Sequence, residues 1–290
     1  MKALVTGAGG MLGSALCPAL SKNEYEVLAT DINIANSQMI FLDIREFDNV
    51  KIFINKNKPD IIFHLAAETD VDKCELNKDH AYKTNVKGTE NIVLACKELD
   101  IPMVYISTCG VFDGTKKEPY NEFDKPNPIS IYTKSKFEGE KIVQDALSKY
   151  FIFRAGWMIG GGKKDKKFVA KIVELLKTKD TLNVVNDKRG NPTFTKDFSE
   201  CIIKIIKLGQ YGLYHVTNKG SASRYEIACK IVEYLGRKDI TVKPVGSEFF
   251  PLPAPRPNSE SVDNYKLKLL GIKMRPWGEA LRDYLKELSE

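Results

Sequence analysis

Ala3-Leu4-Val5-Thr6-Gly7-Ala8-Gly9-Gly10-Met11-Leu12-Gly13 stands at the start of the chain, and its reading decides the fold. Ala3–Thr6 is a short apolar run of strand type. From Met11 to Ser21 the spacing becomes helical, with Met11, Leu12, Leu16 and Leu20 on one side. The glycines between them allow a tight turn and a close backbone approach. The helix start then offers free N–H groups and a partial positive charge to a pyrophosphate. A glycine pattern alone is weak. Between a strand and a helix it points to a dinucleotide.

Working outward, strands and helices alternate. Strands are predicted at Glu26–Thr30, Met39–Leu42, Ile61–Leu65, Met103–Ser107 and Phe151–Arg154. Helices are predicted at Asn49–Asn55, Ala81–Glu98 and Tyr132–Leu147. This rhythm is that of an α/β, doubly wound parallel sheet with right-handed crossovers. Past Trp157 the regularity weakens. Phe168–Thr178, Lys196–Leu208, Arg224–Leu235 and Trp277–Leu288 read as helices, Lys163–Lys167 as a solvated loop. Pro251–Pro257 must be extended, because each proline excludes helix. The expected division is a dinucleotide-binding domain over residues 1–156 and a smaller C-terminal substrate-binding cap over 157–290. Some segments of the second part are expected to return to the first.

The 290 residues are 43% hydrophobic and 28% charged, which is ordinary for a globular protein. No apolar stretch is long enough for a membrane span, and the strand beginning at once leaves no room for a signal peptide. The expected address is cytoplasmic. The six cysteines form no C-x-x-C pair and read as reduced core thiols. Three scattered histidines argue against a zinc site, and no metal is expected. A net charge of +6 is too diffuse for nucleic acid.

Asp31 ends the second strand. A carboxylate there accepts ribose hydroxyls and repels a 2′-phosphate, and Ile32 and Asn33 add no charge. The cofactor is therefore expected to be NADH or NADPH, with NADH favoured. Asp43 after the third strand could bond the adenine edge, and Ala66 and Ala67 let the chain pass close to the nicotinamide half. Tyr132 and Lys136 share one face at a helix start. A lysine there would lower the tyrosine pKa, and the tyrosine would protonate a carbonyl oxygen. Thr108 could hold that carbonyl. Asn85 reads equally as part of a water-bridged proton relay or as a plain helix polar residue. Trp157 reads as a core aromatic or a pocket wall. Arg256 reads as a surface arginine or a diphosphate partner.

These residues resemble the extended short-chain dehydrogenases, and within them the dTDP-4-dehydrorhamnose reductases. The resemblance runs over nearly the whole chain: Thr6 to Gly13, Val71-Asp72-Lys73-Cys74-Glu75, Ser107-Thr108 with Val111-Phe112-Asp113-Gly114, Tyr132 to Lys136, Arg154 to Trp157, Gly190 to Thr193, and Arg256-Pro257 with Asp263. It implies a Rossmann sheet and a catalytic trio of Thr108, Tyr132 and Lys136. It implies cofactor contacts at Gly7, Gly10, Met11, Leu12, Gly13, Asp31, Asp43, Ile44, Ala66, Ala67 and Asn85, besides Tyr132 and Lys136. It places Thr69, Val71, Thr108, Trp157 and Arg256 near a nucleotide-sugar substrate whose 4-keto group is reduced, and leaves room for a homodimer. Two departures stand out. Where the family has Asp-Tyr after the threonine, this chain has Cys109-Gly110, which leaves space beside the sugar. Glu260 replaces a small hydroxyl residue near the expected nucleotide end. A dehydratase would need an acid pair where Cys109-Gly110 stands. An epimerase-reductase, with Cys109 as an extra acid, and a non-catalytic nucleotide-binding regulatory subunit are the alternatives.

Overall fold

Uninterrupted apolar runs build the centre of the molecule. A computed structural model describes residues 1–290 except 35, 36, 163, 164, 166 and 290. Most of the Lys163–Lys167 loop expectation therefore lies outside the described residues. The first strands are β1 (Lys2–Thr6), β2 (Glu26–Asp31), β3 (Ile40–Phe41), β4 (Ile61–His64), β5 (Met103–Thr108) and β6 (Tyr150–Ala155). Ile61, Ile62 and Phe63 of β4 are buried, as a strand covered on both faces requires. Between the strands lie α1 (Gly13–Lys22), α2 (Phe47–Asn57), α3 (Val71–Leu76), α4 (Lys78–Tyr82), α5 (Gly88–Leu99) and α6 (Ile131–Ala146).

The remaining strands are β7 (Trp157–Ile159), β8 (Thr181–Val185), β9 (Arg189–Gly190), β10 (Pro192–Phe194), β11 (Gly212–Val216), β12 (Ala222–Ser223) and β13 (Thr241–Val245). The remaining helices are α7 (Phe168–Leu175), α8 (Thr195–Lys207), α9 (Arg224–Tyr234), α10 (Tyr265–Leu269) and α11 (Trp277–Ser289). The main sheet has seven strands in the order β11-β6-β5-β4-β1-β2-β3, and every pairing in it is parallel. The order reverses between β1 and β4, so the carboxyl ends of those strands part there and leave a crevice.

One core layer joins Leu16 and Leu20 of α1 to Phe198 and Ile202 of α8. The other joins Val50 and Ile54 of α2, Ile92 of α5 and Val143 of α6. A third core holds Ile172 of α7, Ile227 and Ile231 of α9, and Leu281 of α11, with Leu182 and Val184 of β8. Thus α8 and β11 return to the sheet, while α7, α9 and α11 with the small strand pairs form the cap. Among the described residues no helix is long and apolar enough to cross a membrane.

Several elements differ from the sequence expectation, among them the short strands β7–β10, β12 and β13 and helix α10, which the reading left out. β11 was not anticipated; Leu213–Val216 is buried and pairs with β6 as the edge strand. The pattern read as one helix over Ala81–Glu98 is three pieces, α4, a π-turn at Lys83–Lys87, and α5. The α3 turn is fixed by Asp70, whose side chain accepts from the backbone N–H groups of Asp72 and Lys73.

Candidate active site

The crevice is a cleft of about 730 Å³ whose wall runs from the β1–α1 turn to the cap. Gly7 takes a left-handed backbone, φ 69°, and a Cβ there would lie 2.6 Å from the Ala66 nitrogen. A Cβ at Gly13 would lie 2.3 Å from the Ala8 carbonyl oxygen. These two glycines let the turn tuck under the helix start. Gly10 is different. The sole neighbour of a Cβ there is the Gly7 carbonyl oxygen at 3.2 Å, and the residue lines the cleft. A side chain at Gly10 would fill the space that the α1 N-terminus offers to a pyrophosphate. The cradle therefore fits a dinucleotide. Gly7→Ala should cost about 1–3 kcal/mol of stability through overpacking and strain, read by urea denaturation, and weaken cofactor binding in a fluorescence titration.

At the next strand ends, Asp31 accepts the backbone N–H of Gly9 at 3.0 Å and of Asn33 at 2.9 Å. Asp43 is gripped by the Arg45 guanidinium, Nη2 at 2.6 Å and Nε at 2.8 Å, and this hydrogen bonding holds its pKa down. Ile44 packs against Gly88, where a Cβ would come within 2.5 Å of Cδ1. Met11, Leu12, Ala66 and Ala67 line the same wall.

Ser130 caps α6 in a reciprocal arrangement with Thr133, which puts Tyr132 in the first turn of the helix. Thr108 ends β5 and accepts the Gly110 N–H at 3.1 Å. Burial raises the Tyr132 pKa, with Cys74 and Glu260 adding to it and a hydrogen bond to Thr108 working against it. Lys136 is buried, and desolvation lowers its pKa to about 7 against the pull of Glu140. Its Nζ lies over the Tyr105 ring, 4.1 Å from the centre. This corrects the expectation that the lysine depresses the tyrosine pKa. Burial dominates, and the phenol keeps its proton.

A family model described as the RmlD substrate binding domain matches residues 1–290. The chain belongs to that family. The spore coat polysaccharide biosynthesis protein SpsK of Bacillus subtilis is 38% identical over 99% of this chain and 98% of its own. A dTDP-4-dehydrorhamnose reductase structure from Clostridium acetobutylicum superposes with a TM-score of 0.93 at 40% identity, covering 100% of both chains. One from Bacillus anthracis, in complex with NADP, gives 0.91 at 37%, covering 99% of both.

In this RmlD-family chain the cleft gathers Gly7, Gly10, Met11, Leu12, Gly13, Asp31, Asp43, Ile44, Ala66, Ala67, Thr69, Val71, Thr108, Tyr132, Lys136, Trp157 and Arg256. Asn85 is not on its wall. Its Oδ1 accepts the Glu68 N–H at 2.8 Å and its Nδ2 donates to the Glu68 carbonyl and the Ser135 hydroxyl, both at 3.0 Å. It ties the Glu68 loop to α6 from the π-turn. Cys109 is also off the wall; it is buried with its thiol turned to the Arg154 carbonyl, and burial raises its pKa. Arg256 reaches the rim but pairs with Asp72 at 3.0 Å.

Sequence reasoning missed Arg224. Its guanidinium lies 3.9 Å over the Trp157 ring and 4.8 Å from the Phe168 ring centre, and desolvation lowers its pKa to about 10. Nothing in its helical surroundings signals this role; long-range folding brings it to Trp157. Glu260 was assigned to the nucleotide end, but its carboxylate reaches the wall beside Gly110 and the Trp157 indole.

Proposed function

We propose that the protein reduces the 4-keto group of a nucleotide-linked 6-deoxyhexulose, of the dTDP-4-dehydrorhamnose kind, to the alcohol with NADH or NADPH. The observation that carries this reading is a single cleft that brings Tyr132, Thr108 and Lys136 to the same wall system as a glycine cradle shaped for a dinucleotide. The bound dihydronicotinamide supplies the hydride. Gly7, Gly10 and the α1 N-terminus hold the pyrophosphate, and Asp31 holds the adenosine ribose. Thr108 orients the substrate carbonyl, and the Tyr132 hydroxyl delivers the proton to its oxygen. Lys136, half-charged near neutral pH, restores that proton from the α6 side. Arg224, Arg256 and Lys188 also line the cleft and suit a diphosphate, whose oxygens match guanidinium and ammonium donors.

The experiment is cofactor consumption with a dTDP-4-keto-6-deoxyhexose. One alcohol formed per cofactor oxidised supports the reading, and no oxidation rejects it. The geometry disfavours an epimerase step through Cys109, since that thiol faces away from the cleft.

NADH is the better cofactor in this account. The Asp31 carboxylate faces the ribose position, and the Arg45 guanidinium that could meet a 2′-phosphate is already held by Asp43. Asp31→Asn should raise kcat/KM for NADPH relative to NADH by about tenfold or more, as repulsion between two anions a few ångströms apart requires. An unchanged ratio would remove Asp31 from cofactor choice.

A further inference from the structure

One carboxylate in the cleft has no part in the reductive step. The Glu260 backbone is anchored by its N–H to the Arg189 carbonyl at 2.8 Å, which leaves the side chain to enter the cleft wall. There the Trp157 indole donates to it, and Arg224 and Arg256 contribute attraction. A Cβ built on Gly110 would lie 3.5 Å from Glu260 Oε2, 3.4 Å from Thr108 Oγ1 and 3.0 Å from Thr133 Cγ2. A single small recess is thus bordered by the carbonyl-holding threonine on one side and the carboxylate on the other. The Gly110 backbone is not in the left-handed region, so its conformation does not demand glycine. What glycine provides is the space.

A carboxylate accepts about four hydrogen bonds, so the half-buried Glu260 side chain at the cleft wall keeps acceptor capacity for a ligand hydroxyl. One protein donor, the Trp157 indole, is in place. Burial accordingly favours the protonated acid, and the two arginines oppose that. A sugar held with its C4 carbonyl on Thr108 and Tyr132 carries a hydroxyl on the adjacent C3 and another on C2, whereas C5 bears the methyl group and the ring oxygen.

We propose that Glu260 is a specificity-determining residue: in the recess left by Gly110, its carboxylate accepts a hydrogen bond from a ring hydroxyl of the keto-sugar. This rests on the keto-sugar reductase reading above. The rival is that Glu260 merely holds Arg224 and Trp157 in position, which would weaken every substrate alike.

The test measures kcat/KM for a dTDP-4-keto-6-deoxyhexose and for its two analogues lacking the hydroxyl at C2 or at C3. The enzymes are wild type, Glu260→Ala and Glu260→Gln, the last keeping the side-chain shape. A hydrogen bond to a charged group predicts that the wild type loses roughly 10- to 100-fold on one analogue. In Glu260→Ala the parent sugar should fall by a similar factor and that analogue should not, so the discrimination collapses; Glu260→Gln should lie between. If Glu260→Ala keeps the wild-type preference, or all three sugars fall together in both variants, the inference is overturned while the reductase reading stands. Should the wild type reduce none of the three, both fail.

Discussion

Tyr132→Phe should lower kcat for keto-sugar reduction by about 10²–10⁴-fold, the usual worth of a positioned general acid. Dinucleotide affinity stays within twofold or so, because the pyrophosphate and ribose contacts lie on other strands. The size of the effect follows from the protonation state. Burial holds the Tyr132 hydroxyl above its ordinary pKa, so the group is a phenol throughout the neutral range. Phenylalanine fills the same volume and removes only the proton donor. Stopped-flow measurement of cofactor oxidation, beside a fluorescence titration of cofactor binding, separates the two quantities. An equal kcat in both proteins would take Tyr132 out of the chemistry.

Glu140→Ala costs about 3–5 kcal/mol of folding stability, because it strands a buried charge. Tyr132, Lys136 and Glu140 follow one another at single-turn spacing down one face of α6. Glu140 is 0% exposed and Arg154 is 3% exposed. The guanidinium donates from Nε at 2.8 Å and Nη2 at 2.6 Å, and the Ser107 hydroxyl donates at 2.5 Å. Alanine leaves Arg154 facing His215, whose pKa burial has already lowered to about 3. It also removes the one group that raises the Lys136 pKa. The Lys136 pKa, already lowered by burial, should therefore fall further, and the proton-return limb of the pH–rate profile should move to lower pH. Urea denaturation checks the first effect and the pH profile of any folded fraction checks the second. A variant as stable as wild type would mean that Arg154 finds another partner.

The sheet and the cofactor cradle were legible because their signals are local. A buried parallel strand is a continuous apolar run, and a pyrophosphate turn lies wholly between Thr6 and Gly13. Tyr132 and Lys136 were legible for the same reason, being one helical turn apart. What escaped depends on distant residues. β11, with Tyr214 and His215 inside it, is not a continuous apolar run and does not declare itself until β6 offers an edge. The π-turn at Lys83–Lys87 leaves no mark in a helical pattern. Arg224 becomes a cleft residue only when α9 meets Trp157, and the facing of Glu260 and Gly110 joins segments far apart in the chain. The direction of the tyrosine shift was misjudged because sequence spacing gives proximity but not burial, and burial proved the larger influence.

The fate of the cofactor hydride decides the account most directly. With NADH carrying deuterium at C4 of the nicotinamide on the transferred face, and a dTDP-4-keto-6-deoxyhexose as acceptor, NMR of the product should show one deuterium, bonded to sugar C4. Product without that deuterium, or cofactor left unoxidised with either face labelled, would contradict it.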